Sequence, residues 1–390
     1  MAGKKKEEDS STGFDFSALK KMVNKKAGEN VAFNLKEDDN PTEVKEWIST
    51  GSSWLDRIIC SGVVNAGIPI GKISSLAGEP ASGKSYIASQ IAGNAQRKNG
   101  LKVVLLESES AIDPGFVEAM GVDLDGLLYI QAQSVEFVLE TIEDILKSTN
   151  ERILFIWDSV AATPTISDVE GDFNPNSSVG VKARVLSKGL AKLTMPLANK
   201  QCTLLVLNQL KTNIPGKGRQ HEALIEPFVT PGGKAINYHA SLRIWLTKRK
   251  SKAAFVEDEN GFRIGSEVKV RLKKSRFGSE GRQCTFQILW GGDELGIMDE
   301  ESWMEAIRTS KYYTPGAWCK LEYADGEVQQ FRKSDWKMHL QDEKFRARVL
   351  ELMDEEVVHK FKNREGSASA FYDIDGVEEA GDKEEENDNT

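Results

Sequence analysis

Residues 78–85 read GEPASGKS, placing two glycines, a lysine and a hydroxyl at the spacing GxxxxGK[ST]. Glycines at those positions let the backbone curl so that successive N–H groups point inward and cradle phosphate oxygens. A helix starting directly afterwards adds the partial positive charge of its amino terminus. Lys84 brings a point charge to the β- and γ-phosphates, and the Ser85 hydroxyl is a magnesium ligand. The flanks fit this chemistry: KISSLAG reads as a strand entering the loop and SYIASQIAGNAQRK as a helix leaving it. The expected nucleotide-binding set is Gly78, Glu79, Pro80, Ala81, Ser82, Gly83, Lys84, Ser85 and Tyr86, with ATP and Mg2+ as ligands.

Two further carboxylate positions belong to such a site. ILFIWDS (153–159) delivers Asp158 after five apolar residues, the pattern of the strand-end acid that holds the magnesium shell through water. Hydrolysis also needs a carboxylate that orients a water against the γ-phosphate. LLESESAIDP (105–114) offers Glu107 and Glu109. If that run is extended, both point to the same face, and spacing leaves the choice open.

The elements that must carry these residues follow from the apolar pattern. From 51 to about 250, KISSLAG, KVVLLES, RILFIWDS and CTLLVLNQL alternate with helical segments near 85–98, 115–120, 134–148 and 180–199. Continuously apolar strands separated by helices predict right-handed crossovers and an α/β, mostly parallel, doubly wound sheet covered on both faces. SLRIWLTKRK, EVKVRLKKSR and CTFQILW alternate more and predict an antiparallel extension. Residues 292–362 read as a small α+β domain: a helix near 299–309, a hairpin with an Asp-Gly turn in EYADGEV, and a long helix from about Ser334 to Lys360. Residues 1–50 form a polar leading segment in which Phe16, Leu19, Met22 and Val23 recur at helical spacing, a face that must pack on something. The core is expected over 51–291.

Composition narrows the class. At 39% hydrophobic and 28% charged, the 390 residues suit a globular chain with a sizeable core. No apolar run spans a bilayer, and MAGKKKEEDSS lacks the hydrophobic stretch of a secretory signal. Cys60, Cys202, Cys284 and Cys319 are scattered without metal-ligand spacing, so a reduced, cytoplasmic setting is expected. The net charge of −9 is unevenly spread: 373–390 hold nine Asp/Glu and one Lys, whereas 241–282 hold twelve Lys/Arg and five Asp/Glu. Residues 363–390 therefore read as an acidic disordered tail, of the kind that most often only solvates the chain; the functional alternative is a tail that competes with a polyanion for the basic segment.

Taken in order, STGSSWLD (49–56), the phosphate loop, ESESAIDP, IWDSVAATP (156–164), LLVLNQL (204–210) and TPGGKAINYHASLRIWL (230–246) resemble the RecA family of recombinases. GSEVKVRLKKSR and FQILWGG extend the likeness over roughly 49–292, and it is nearest to phage UvsX-type members. The resemblance implies Glu109 as the catalytic glutamate, with Glu107 supporting, and places Asp113 and Phe116 near the nucleotide base. It implies that Gln209 senses the γ-phosphate and relays it to a DNA-binding loop. It implies that Lys274 and Arg276 reach a neighbouring subunit's ATP and that Tyr238 and Phe16 are interface residues. Ser110, Trp157 and Arg276 depart from the usual family residues, and Arg276 is a planar fork where a point charge is usual.

Two segments follow strand ends on the carboxyl side of the sheet, where α/β folds bind ligands: 165–182 and the Gly/Pro-rich 210–231. With the resemblance, Lys211, Lys217, Gly218, Arg219, Gly232 and Gly233 are the expected DNA contacts, made without base readout. The implied activity is that of a DNA-dependent ATPase and strand-exchange recombinase. It forms helical filaments on single-stranded DNA, pairs them with homologous duplex DNA, and works with a single-strand-binding protein and a loader. A ring-forming helicase or clock-type ATPase and a non-exchanging paralogue are the alternatives on the same core.

Overall fold

A computed structural model describes residues 15–28, 30–38, 40–60, 66–171, 180–213, 226–249, 251–292 and 294–361. The chain divides into two compact units between Glu43 and Val44. Lys217, Gly218, Arg219 and the acidic tail lie outside the described residues.

In the first unit, α1 spans Phe16–Ala27. Asp15 caps it by accepting from the backbone N–H groups of Ser17 and Ala18, and Gly28 ends it in the left-handed conformation at φ 76°. Asn24 Oδ1 accepts from Val31 and Ala32, which turns the following segment back along the helix. Phe16, Leu19 and Met22 are exposed, and Phe16, Leu19 and Val23 line a groove with Ala32, Phe33 and Leu35 of the returning segment.

The second unit opens with a two-residue strand, Trp47–Ile48, paired with Ile68–Pro69 and followed by α2 (Ser53–Ile59), and is built on a ten-stranded sheet. Its first half reads β1 (Ile73–Gly78), α3 (Lys84–Asn99), β2 (Lys102–Glu107), α4 (Pro114–Ala119), β3 (Leu127–Gln131), α5 (Val135–Ser148) and β4 (Ile153–Asp158). Then come α6 (Ile166–Glu170), α7 (Val181–Asn199), β5 (Thr203–Gln209), α8 (Ala235–His239) and β6 (Leu242–Lys248). The sheet ends in β7 (Phe255–Glu257), β8 (Arg263–Ser275), β9 (Gln283–Leu289) and β10 (Gly296–Met298). Across it the order is β10-β9-β8-β6-β1-β5-β4-β2-β3, with β7 on β8. From β6 to β3 every pairing is parallel.

Both faces are covered, which explains the unbroken apolar strands. Val103, Leu105, Leu154 and Ile156 join a core with α2 and α3; Val104, Leu106, Phe155 and Trp157 join another with α5 and α7. One expectation changes. SLRIWLTKRK was to open the antiparallel extension, but β6 runs parallel to β1, with Leu242 opposite Ser74 and Leu246 opposite Gly78. The segment ending in α8 carries the chain back along the sheet, as a parallel pairing requires. Antiparallel pairing starts only between β6 and β8.

The C-terminal module keeps its hairpin: Trp318–Glu322 pairs with Val328–Arg332, and Gly326 adopts φ 86° in the turn. The long helix expected from Ser334 does not form as one piece. A turn of helix at Trp336–His339 stops, and α9 begins at Glu343 with Asp342 as its cap, accepting from Phe345 N. The chain breaks there because Asp342 favours capping over a helix interior. The expected 299–309 helix is shorter, a 3₁₀ turn at Glu300–Ser302 running into one α-helical turn at Trp303–Ala306. Trp303, Phe331, Trp336 and Phe345 merge with the core beneath α2 and α3. Among the described residues no helix is long and apolar enough to cross a membrane.

Candidate functional site: a phosphate loop coupled to a second segment

β1 delivers Gly78 into the loop and α3 begins at Lys84, with Gly83 as its N-cap at φ 87°. The loop is tight. A Cβ on Gly78 would meet Ser82 Oγ at 2.3 Å, and one on Gly83 would meet Ile288 Cδ1 at 2.2 Å. Gly83 also sits in the left-handed region that favours glycine. Ser82 Oγ is buried without a hydrogen-bond partner among the described residues. Lys84 Nζ turns back on the loop, donating to the carbonyls of Gly78 at 3.2 Å and Glu79 at 3.0 Å. Burial lowers the Lys84 pKa, with Asp158 and Glu109 opposing. An orphaned hydroxyl, a curled backbone at a helix amino terminus and a buried cation suit a polyphosphate.

The adjoining cavity, about 460 Å³, is lined by Ser85, Glu109, Asp113, Phe116, Asp158 and Gln209 among others. Tyr86 packs edge-on against Phe116, ring centroids 4.7 Å apart. Asp113 caps α4 through Gly115 N at 2.9 Å and lines the same cavity. Asp158 stands at the end of β4, opposite Glu107 at the end of β2. Its pKa is pushed up to about 6, first by burial and then by Glu109, with Lys84 opposing. A magnesium ion beside Ser85 would favour the ionised carboxylate.

Both glutamates border this cavity, but Glu107 is buried and Glu109 is exposed. β2 stops at Glu107, and the chain turns through Ser110 at φ 53°. Glu107 is buried and organises that turn: it accepts from the N–H groups of Glu109 at 2.7 Å and Ser110 at 2.8 Å, and from Tyr129 Oη at 3.0 Å. Its lone pairs are committed. Glu109 instead looks across the site, where Oε1 accepts from Ser159 Oγ at 3.1 Å and Gln209 Nε2 at 3.4 Å.

Gln209 ends β5, and the next residue enters the 210–231 segment. Leu210 N donates to Gly78 O at 3.0 Å, and Asn208 Nδ2 donates to Pro231 O at 3.0 Å. Both limbs of the segment are thereby tied to the phosphate loop and its neighbouring strand. Their base is a two-residue ribbon, Lys211–Thr212 against Phe228–Val229, and Lys211 is exposed. Gly232 and Gly233 turn the chain into α8 at φ 92° and 65°. At the start of the 165–182 segment α6 forms, because Thr165 and Asp168 make a reciprocal capping box.

Lys274 and Arg276 do not line their own chain's phosphate cavity. Lys274 sits opposite Arg243, which pairs with Ser75, three residues before Gly78. That is roughly 10 Å back along β1, with β6 between. Both cations donate to the Tyr238 carbonyl at the end of α8, Lys274 at 3.3 Å and Arg276 at 3.0 Å, while the Tyr238 side chain is exposed.

Some residues escaped the sequence reading. Ser159 and Tyr129 hold the two glutamates apart, and no spacing rule signals them. Lys248, Arg263 and Trp290, with residues 81–86 of the phosphate loop and the start of α3, line a second cavity of about 450 Å³. An aromatic residue followed by two glycines at a strand end was the available signal for Trp290.

Sheet, loop and carboxylates together define a P-loop nucleotide-binding core. The RecA N-terminal domain family matches residues 16–295, and the chain belongs to the RecA family. It is 32% identical to Protein RecA of Sulfurimonas denitrificans over 315 residues, covering 80% of this chain and 84% of that one. Protein RecA of Rubrobacter xylanophilus is 32% identical over 303 residues, covering 77% and 81%. Protein RecA of Frankia casuarinae is 29% identical over 355 residues, covering 91% and 95%.

Proposed function

We propose that the chain is an ATP-dependent DNA recombinase, a DNA-dependent ATPase that assembles as a filament on single-stranded DNA and exchanges strands with a homologous duplex. The observation that carries the reading is the Glu109–Gln209 contact, which joins the phosphate site to the foot of the 210–231 segment. ATP would lie on the 78–85 loop, its phosphates replacing the carbonyls that now hold Lys84. Ser85 and, through water, Asp158 would hold Mg2+, which when bound neutralises phosphate charge. Glu109 then orients the attacking water, Glu107 fixes the turn that presents Glu109, and Asp113 and Phe116 border the base.

Lys274 and Arg276 complete the site from a neighbour. In their own chain they stand away from the loop, and a head-to-tail contact that does not close builds a filament. The exposed stripe of α1 (Phe16, Leu19, Met22) and the exposed Tyr238 are the surfaces for that contact. Lys211, Gly232 and Gly233, with Lys217, Gly218 and Arg219, hold the DNA backbone, while base pairing selects sequence. A single-strand-binding protein and a loader would act with it in the cytoplasm, that of a host cell if the gene is phage-borne. Within the family, the motifs favour a place beside phage UvsX-type members.

A strand-exchange assay between a single-stranded circle and linear duplex tests the function. Joint molecules should form with ATP and homologous duplex; none with either partner set, while ATP is hydrolysed, would refute it.

A further inference from the structure

The return limb of the 210–231 segment meets a cluster that the phosphate site does not use. β6 and β8 lose step between Arg243 and Ile244: Arg243 faces Lys274 and Ile244 faces Leu272, leaving Lys273 as the extra residue of a bulge. A bulge re-aims the side chain it carries. Lys273 Nζ stands 4.9 Å from the centroid of the Trp245 ring and 2.8 Å from Glu226 Oε1.

Arg243 and Trp245 lie on one face of β6, the Arg243 guanidinium 5.8 Å from the same ring. Both residues are more than nine-tenths buried. Arg243 Nε and Trp245 Nε1 have no hydrogen-bond partner among the described residues. Arg243 makes one long bond, Nη2 to Thr230 Oγ1 at 3.5 Å. Local charge is positive: Arg243, Lys273 and Lys274 stand against Glu226 and Glu280. Buried donors without acceptors are rare, and an oxygen from water or from an anion would satisfy them. Glu226 is half exposed, and a partly exposed ion pair is weak enough to exchange.

We infer that Lys273 is a contact for a DNA backbone phosphate, and that Glu226 occupies it in the DNA-free chain. The inference rests on the DNA-binding reading above. A phosphate arriving at the foot of the segment displaces the Glu226 carboxylate, and Trp245 holds the Lys273 stem in place. Glu226 thus opposes DNA binding while Lys273 promotes it, although the two residues are partners.

The test is anisotropy of labelled oligo-dT with the ATP-loaded full chain across a salt series. Wild type comes first: if it ignores oligo-dT, the recombinase reading itself fails. Given wild-type binding, Glu226→Gln should tighten it by about two- to fivefold, the scale of one exposed ion pair. Lys273→Met should weaken it and reduce the slope of log affinity against log salt by about 0.7, the value for one phosphate contact on single strands. Lys273→Arg should restore the slope, and Glu226→Gln with Lys273→Met should behave as Lys273→Met alone. Weakening by Glu226→Gln, or an unchanged slope in Lys273→Met, overturns the inference.

Discussion

Gln209 Nε2 donates to Glu109 Oε1 across 3.4 Å, linking the last residue of β5 to the carboxylate that faces the phosphate cavity. The bond is long enough to be remade when a phosphate enters, and Ser159 Oγ donates to the same Oε1 at 3.1 Å.

The first prediction separates the two glutamates. Glu109→Gln should bind ATP yet lose turnover by about 10²–10⁴, the range for a positioned acid–base group. Glu107→Gln should act through the fold, because its carboxylate holds two short backbone bonds and a tyrosine hydroxyl. A stability loss of about 1–3 kcal/mol is expected. Turnover and melting temperature measured on both variants decide it. Full turnover in Glu109→Gln, with loss in a thermally unaltered Glu107→Gln, would reverse the assignment.

The second concerns the seam between subunits. Lys84→Ala and Arg276→Ala should each reduce turnover by on the order of 10³ or more, since each removes a charge from one side of the site. Mixed, they form seams with an intact loop on one side and an intact Arg276 on the other. The mixture should hydrolyse ATP faster than either protein alone. A rate equal to the weighted sum would mean that Arg276 does not act across subunits.

A third prediction follows from Asp56, buried where α2 begins. It accepts from Ser49 Oγ at 2.6 Å, Thr50 N at 2.9 Å and Thr50 Oγ1 at 2.7 Å, yet burial pushes its pKa up to about 6, with Asp299 adding to the rise. The native state therefore holds this proton more tightly than the unfolded chain. Its contribution to stability is fully present below pH 3.8 and lost as pH rises through about 6. Asp56→Asn, which keeps the size and can keep the bonds, should raise stability at pH 7 by about 2 kcal/mol and flatten that part of the profile. Denaturant melts from pH 4 to 8 check this; an unchanged pH profile would contradict it.

Much of the phosphate site could be read from residue types, because its chemistry depends on local spacing. GEPASGKS needs only a strand before it and a helix after it, and Asp158 needs only the end of an apolar run. The glutamates were different. Whether β2 continues past Glu107 depends on Tyr129, which reaches its carboxylate from the neighbouring strand, and a tertiary contact leaves no periodic trace. The direction of β6 was hidden for a similar reason, since SLRIWLTKRK alternates whichever way its neighbours run. The Lys273 bulge was also invisible: KKS lies within a regular strand pattern, and only pairing with β6 reveals the extra residue.

The central claim is that ATP at the 78–85 loop strengthens the grip on single-stranded DNA through Glu109, Gln209 and the segment that Gln209 leads into. Oligo-dT affinity measured with a slowly hydrolysed ATP analogue and with ADP tests it directly, in wild type and in Gln209→Ala. Wild type should bind about 5–150-fold more tightly in the ATP state, the usual span of such coupling, and Gln209→Ala should lose most of that difference. Equal affinities in the two nucleotide states of wild type would contradict the account.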